Sequence, residues 1–335
     1  MNAIVYNTKK TMFGGNQMKA VILDGFCENP GDLSWDGVAK LCDLTVYDRT
    51  QPQDVIARAR GAQIVVVNKV PLTREIIEQL PDLRFVGILA TGYNIIDVEC
   101  CAEKGIPVAN IPAYSTDSVA QYVFSFILAH ASRVAEHSAA VHTGAWTACP
   151  DFTFRVAPIC EVAGKTLGIV GYGKIGQKVA AIGSAFGMRV IAYTAHPEKY
   201  ADAQVEFVSL DTLAAQSDFI SLHCPLTKDT QGLVNAAFLS KMKKSAFLVN
   251  TSRGPVVDET ALAQALNEDR IAGAGADVLS TEPPKADNPL LTAKNCFITP
   301  HIAWAPTETR QRLMDIFEEN IRAFLNGNPI NVVNM

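Results

Sequence analysis

Short apolar runs alternating with helix-length amphipathic stretches constrain this chain more than any other feature. Runs at Ala20–Leu23, Leu44–Tyr47, Ile64–Val67 and Phe85–Leu89 read as strands, with helical intervals such as Asp54–Ala59 and Thr73–Gln79 between them. Strands joined through helices need crossover connections, which make the strands parallel and put helices on the sheet faces. A long helical pattern from Asp117 to His142 follows, with Ser115 and Thr116 as capping candidates. After Gly164 the alternation restarts at Leu167–Val170, Val190–Tyr193, Phe219–His223, Ala246–Asn250, Ile271–Ala276 and Phe297–Thr299. A final helix, Thr307 to Leu325, ends at Gly327-Asn328-Pro329. The pattern predicts an α/β protein with two doubly wound parallel sheets, and 335 residues are enough for two cores.

Composition narrows the function classes. Hydrophobic residues make up 48% of the chain and charged residues 19%, a balance opposite to that of disordered chains. The net charge of −5 offers no electrostatic footprint for nucleic acid or an anionic membrane. Eight cysteines are scattered without a CxxC pair; they read as reduced, mostly packed thiols of a cytoplasmic protein, and no metal is expected. The most apolar stretch, Val119 to Val141, carries Gln121, His130, Arg133, Glu136 and His137, which argues against a membrane span. Residues 1–17 lack an apolar core of the signal-peptide kind and are expected to be a disordered leader, with Met18 beginning the fold.

The run Thr166-Leu167-Gly168-Ile169-Val170 leads into Gly171-Tyr172-Gly173-Lys174-Ile175-Gly176 and then into a helical stretch from Gln177. A GxGxxG gains meaning from this strand–turn–helix context. Gly171 permits the tight turn, Gly173 lets a pyrophosphate approach the backbone, and Gly176 allows close helix–strand packing, with Lys174 and Ile175 beside the phosphates. The helix N-terminus adds amides and a positive dipole end. A glycine turn used only for packing, or a methyltransferase loop, is the alternative. The next strand ends at Thr194, where an NAD site usually carries an acidic residue for the ribose 2′-OH. Neutral Thr194, followed by His196 and Lys199 but no arginine, leaves NADP open while favouring NAD.

Three later segments each place a reactive group at or just past a strand end: Asn250-Thr251-Ser252-Arg253-Gly254, Asp277 continuing to Glu282, and Pro300-His301. Ligands of open α/β sheets bind outside the carboxyl ends of the strands, so these segments can converge on one site. Guanidinium grips a 2-keto carboxylate with fixed geometry, which suits Arg253. An alkoxide formed by hydride transfer needs a proton as it develops, and His301 can donate one near neutral pH. Glu282 on the other ring nitrogen would favour the imidazolium and orient it. A surface Arg, a solvated Glu and a core His are the bland readings of the same residues taken singly.

Taken in order, Gly171–Gly176, Asn250–Gly254, Glu282 and Pro300-His301 resemble the D-isomer-specific 2-hydroxyacid dehydrogenase family, glycerate dehydrogenase and hydroxypyruvate reductase members in particular, over Met18 to Met335. The resemblance implies NAD(P)-dependent interconversion of a D-2-hydroxy acid and its 2-keto acid, with D-glycerate/hydroxypyruvate or glycolate/glyoxylate as the expected pairs. It implies a Rossmann nucleotide-binding domain at 116–302. It also implies a discontinuous, flavodoxin-like substrate domain formed by 18–115 and 303–335. Catalytic roles fall on His301, Glu282 and Arg253. Besides the glycine turn and Thr194, Cys224, Pro225, Thr251, Ser252, Arg253, Asp277 and His301 are the expected cofactor contacts. Thr91 and Gly92 of Ala90-Thr91-Gly92-Tyr93-Asn94, with Lys69 and Arg253, are the expected substrate contacts. Gln121 stands where many relatives have Glu, and Tyr93 and Trp304 are expected to shape the pocket or to pack beside it. Members of the family pair through the long-helix region, which makes a homodimer the expectation. A phosphoglycerate enzyme with an added regulatory domain is not expected. An NAD(H)-sensing, corepressor-like binding protein on the same fold is the alternative function.

Overall fold

The computed structural model describes residues 3–6 and 17–335. The chain divides into two compact units, one formed by residues 1–115 and 305–335 and the other by 116–304.

The first unit holds six strands: β1 (Ala3–Tyr6), β2 (Lys19–Ile22), β3 (Asp43–Tyr47), β4 (Ile64–Val67), β5 (Phe85–Ile88) and β6 (Val108–Ala109), in the order β1-β3-β2-β4-β5-β6. From β3 to β6 every pairing is parallel, and the order reverses between β2 and β4, as in flavodoxin-like sheets. Strands β4 and β5 are buried along their whole length, which is why they read as unbroken apolar runs rather than alternations. The Thr307–Leu325 helix closes one face of this sheet with a stripe of Leu313, Met314, Phe317 and Ile321. Trp35 meets Phe317 edge-on at 6.5 Å, and Phe85 lies 4.6 Å from Phe324.

Strand β1 corrects the expectation of a disordered leader. Ala3–Tyr6 pairs antiparallel with β3, Ala3 opposite Tyr47 and Tyr6 opposite Leu44. The open edge of β3 offers unpaired backbone groups, and a short β-branched segment satisfies them. The remaining leader residues, 1–2 and 7–16, lie outside the described residues.

The second unit holds β7 (Thr166–Val170), β8 (Arg189–Tyr193), β9 (Glu206–Phe207), β10 (Phe219–Leu222), β11 (Phe247–Asn250), β12 (Gly273–Ala276) and β13 (Cys296–Ile298). They form one parallel sheet in the order β13-β12-β11-β10-β7-β8-β9, so the winding direction reverses between β7 and β10. Strand β12 is Gly-Ala-Gly-Ala because Phe126 lies against it: a Cβ on Gly275 would sit 2.6 Å from the Phe126 ring. The expected long helix is two helices, Thr116–Ser132 and Val134–His142. Between them Arg133 adopts a left-handed conformation (φ 48°), which stops the i→i−4 ladder. The Ala131 carbonyl freed near the break accepts from Cys160 N at 2.9 Å. All eight cysteines are unpaired thiols. Among the described residues no helix is long and apolar enough to cross a membrane.

Candidate active site

The glycine turn leaves the end of β7 at the point where the sheet's winding reverses. Gly171 has φ 95°, and a Cβ there would lie 2.6 Å from Cys224 N, so conformation and space both demand glycine. Its amide donates to Tyr193 O at 2.8 Å, while His223 N donates to Val170 O at 2.7 Å. The turn is thereby fastened to the ends of both neighbouring strands. A Cβ on Gly176 would meet Gly171 O at 2.3 Å, which fixes the close approach of helix to turn. Gly173 differs from both. It caps the Lys174–Ala185 helix without any side-chain hydrogen bond, and nothing lies within 4 Å of where its Cβ would be. The helix therefore presents uncapped amides and its positive end across an open cradle that a methyl would fill, which fits a pyrophosphate. Lys174 is exposed and Ile175 half-buried beside it.

At the end of β8 Thr194 is half-buried, with His196 N 3.5 Å from its hydroxyl. His196 Nδ1 lies 3.1 Å from Glu198 Oε1. The Cys224-Pro225 turn sits beside Gly171, with Cys224 buried and Pro225 exposed.

The Asn250–Gly254 turn is built around the buried Asn250 side chain. Its Oδ1 accepts from Ser252 N (3.0 Å) and Ser252 Oγ (2.9 Å), and its Nδ2 donates to Arg253 O (3.0 Å). This side-chain turn is what the Asn at the strand end provides. Arg253 is thrown outward and exposed, its Nη1 donating to Ser252 O at 2.7 Å. Thr251 Oγ1 is buried without a hydrogen-bond partner, the kind of polar atom a bound ligand satisfies. Gly254 packs against the backbone of the next segment, where a Cβ would lie 1.9 Å from the Leu279 carbonyl carbon.

That next segment carries Glu282, whose Oε1 accepts from Leu279 N (3.2 Å) and whose Oε2 lies 2.7 Å from His301 Nδ1. Both side chains remain accessible, 35% for Glu282 and 27% for His301. His301 has φ 55°, a strained conformation that persists only when its surroundings enforce it. Asp277, 1% exposed at the end of β12, enforces it. Asp277 Oδ1 accepts from Thr299 Oγ1 (2.7 Å) and Ile302 N (2.9 Å), Oδ2 from Ala303 N (2.9 Å), and its backbone O from His301 N (2.8 Å). Burial pushes the Asp277 carboxyl up, while those donors and the nearby His301 pull it down. The side chain is thus committed to the 299–303 turn.

In the first unit Thr91 Oγ1 donates to Ile111 O (2.7 Å), and Asn110 Nδ2 donates to Thr91 O (2.8 Å), which shapes the turn that includes Gly92. Lys69 extends from the end of β4, exposed, while its amide donates to Asp24 Oδ2 (2.6 Å). Asp24 also accepts from the amides of Asn68 and Val70. Asn68 Nδ2 donates to the fully buried Glu28 and to Leu89 O, which ties the end of β4 to the end of β5. Tyr93 is exposed, Trp304 half-buried, and Gln121 lies on an exposed helix face. Sequence reading missed Asp24, Glu28 and the spacing role of Gly254. Only Asp24, an acid directly after the first strand's Leu23, carried a local signal.

The glycine turn and the strand-end groups of the second unit have the chemistry a nucleotide-dependent α/β oxidoreductase requires, and comparison places the chain within a family. The profile for D-isomer specific 2-hydroxyacid dehydrogenase, NAD binding domain, matches residues 124–303. A hydroxypyruvate reductase of Blautia hydrogenotrophica is 51% identical over 321 residues, covering 95% of this chain and 100% of that protein. A glycerate dehydrogenase of Methylorubrum extorquens is 41% identical over 290 residues, 86% of this chain and 90% of that one. Among solved structures, an NADPH-dependent glyoxylate/hydroxypyruvate reductase of Sinorhizobium meliloti, in complex with NADP and malonate, superposes with a TM-score of 0.81 at 27% identity, covering 95% and 97%. The chain belongs to the D-isomer specific 2-hydroxyacid dehydrogenase family and is an NAD(P)-dependent enzyme of that class.

Proposed function

We propose that the protein reduces hydroxypyruvate to D-glycerate, and glyoxylate to glycolate, with NAD(H) favoured and NADP(H) accepted. The observation that carries the reading is the 2.7 Å pair of His301 Nδ1 and Glu282, which follows strands β12 and β13 at the same carboxyl end of the parallel sheet as the open glycine cradle after β7. Gly171, Gly173, Lys174, Ile175 and Gly176 hold the pyrophosphate, Thr194 faces the ribose, and Cys224, Pro225, Thr251 and Ser252 line the rest of the cofactor. When bound, the reduced nicotinamide supplies hydride to the carbonyl carbon of the keto acid. Arg253 binds the substrate carboxylate with a planar fork. Thr91, Gly92 and Lys69 of the first unit are the other groups suited to an anionic substrate. With Nδ1 committed to Glu282, His301 Nε2 is the nitrogen that delivers a proton to the developing alkoxide and recovers it in oxidation. Asp277 keeps the turn that carries His301 in place.

The same reading includes a homodimer in the cytoplasm. Val134, Trp146, Phe152, Val156 and Ile159 stand exposed on 134–160, Phe152 at 90%, and a second copy of this chain covering them would remove that apolar surface from water. Unpaired thiols suit a reducing compartment. A panel of small 2-keto acids with NADH and NADPH tests the activity. His301→Ala should lower kcat about 10²–10⁴-fold while cofactor still binds, and Arg253→Lys should raise the substrate KM. Unchanged turnover in His301→Ala removes it from the proton transfer. Light scattering at twice 36.1 kDa supports the dimer, and a monomer refutes it.

A further inference from the structure

Glu282 lies in an exposed segment: every residue from Ser280 to Asp287 is solvent-accessible, so no packed core fixes where its carboxylate stands. Polar anchors must do so. One residue supplies three of them. Glu259 opens the Glu259–Asn267 helix, but the helix is capped by its neighbour Asp258, whose Oδ1 accepts from Ala261 N at 3.0 Å. The Glu259 carboxylate is therefore free of capping duty and reaches away from the helix. Its Oε1 accepts from Ser280 N at 2.6 Å, and its Oε2 accepts from Ser280 Oγ at 2.6 Å and Asn288 Nδ2 at 2.9 Å. Asn288 is fixed in turn, its Oδ1 accepting from Leu290 N at 3.0 Å. One charged group thus pins both ends of 280–288, and Glu282 lies between the pins. Hydrogen bonds to an ionised acceptor are about twice as strong as neutral ones.

We propose that Glu259 is a positioning residue for the reaction: by clamping Ser280 and Asn288 it holds the Glu282 carboxylate against His301 Nδ1. It touches neither substrate nor cofactor. Its effect passes through Glu282 and rests on the reading of His301 and Glu282 as the proton-transfer pair. Asp277 does for the His301 turn what Glu259 does for the Glu282 segment. Each half of the pair has its own carboxylate support.

The experiment combines Glu259→Gln, Ser280→Ala and Asn288→Ala with Glu282→Gln, reading kcat, KM for NADH, melting temperature and the pH profile of kcat/KM. Glu259→Gln is expected to lower kcat about tenfold or more with KM for NADH within about twofold, and to displace the pH profile. The two alanine variants remove one side-chain donor each from the loop and should show smaller losses of the same kind, which keeps the test alive if Glu259→Gln fails to fold. In the Glu282→Gln background, Glu259→Gln should cost little more, because two residues acting as one unit are not additive. A kcat and pH profile unchanged in Glu259→Gln and in both alanine variants overturns the proposal. So do losses that multiply fully in the double variant. If Glu282→Gln itself leaves kcat intact, the proton-transfer reading fails and this inference fails with it, an outcome distinct from the first two.

Discussion

Replacing Gly254 with alanine is expected to damage catalysis far more than cofactor binding. The added methyl would lie 1.9 Å from the Leu279 carbonyl carbon, 2.1 Å from its oxygen and 2.3 Å from Ser280 N. Ordinary contact begins near 3.4 Å, so the two backbones must part by about 1.5 Å, the difference between 3.4 and 1.9 Å. None of the obstructing atoms is a side chain that can swing aside. Overpacking of this kind costs about 1–3 kcal/mol, a melting-temperature loss of about 2–12 °C for a domain of this size. The displaced atoms are the carbonyl group of Leu279 and Ser280 N. The amide of the same Leu279 donates to Glu282 Oε1, so moving this backbone also disturbs the 2.7 Å approach of Glu282 to His301. A misplacement of about 1 Å costs about 10²-fold in rate. The assay follows NADH oxidation with hydroxypyruvate, alongside NADH binding by fluorescence. The expected result is kcat down about 10²-fold with NADH affinity within a few-fold. Wild-type kcat and melting temperature in Gly254→Ala would refute the packing argument. Gly173→Ala is the matched control: its methyl meets open space, so stability should hold while KM for NADH rises.

His130, stacked 4.3 Å from Phe247 with Nδ1 unpartnered, is pushed down to about 4 by burial and by Arg133. Because the fold favours its neutral form, its contribution is complete above pH 6.5 and is lost as pH falls toward about 4. His130→Phe should flatten this acid loss, by up to about 3 kcal/mol, in denaturant titrations across that window; an unchanged acid profile would refute it. Glu28 is pushed up to about 8 by burial and then by Asp24, so it stabilises fully below about pH 4.5 and ever less as pH rises through about 8. Glu28→Gln should therefore gain in melting temperature relative to the parent across that interval, and a constant difference would count against a buried neutral carboxyl. Thr194→Asp should raise the NADH-to-NADPH ratio of kcat/KM by repelling the 2′-phosphate; a ratio that does not move places residue 194 away from the ribose.

The strands of both sheets were readable because parallel strands buried on both faces leave continuous apolar runs, as in Ile64-Val65-Val66-Val67. Three short edge elements left no such trace. β1, β6 and β9 are two to four residues long and owe their existence to a neighbouring edge. The break at Arg133 was equally hidden, since the apolar pattern continues through it.

Local chemistry was written in the sequence alone: the strand–glycine–helix turn, an Asn that folds its own backbone to present Arg253, and the residue types suited to a keto acid. Periodicity and turn preference act over a few residues, so they survive in a linear reading. Proximity across the sheet does not. His301 and Glu282 are 19 residues apart and meet at 2.7 Å only because strand order brings the ends of β12 and β13 together. The same holds for Gly254 against Leu279, for Asp277 beneath the His301 turn, and for Glu259 across to Ser280 and Asn288. These contacts depend on which backbones the sheet makes neighbours, a property of the folded chain as a whole.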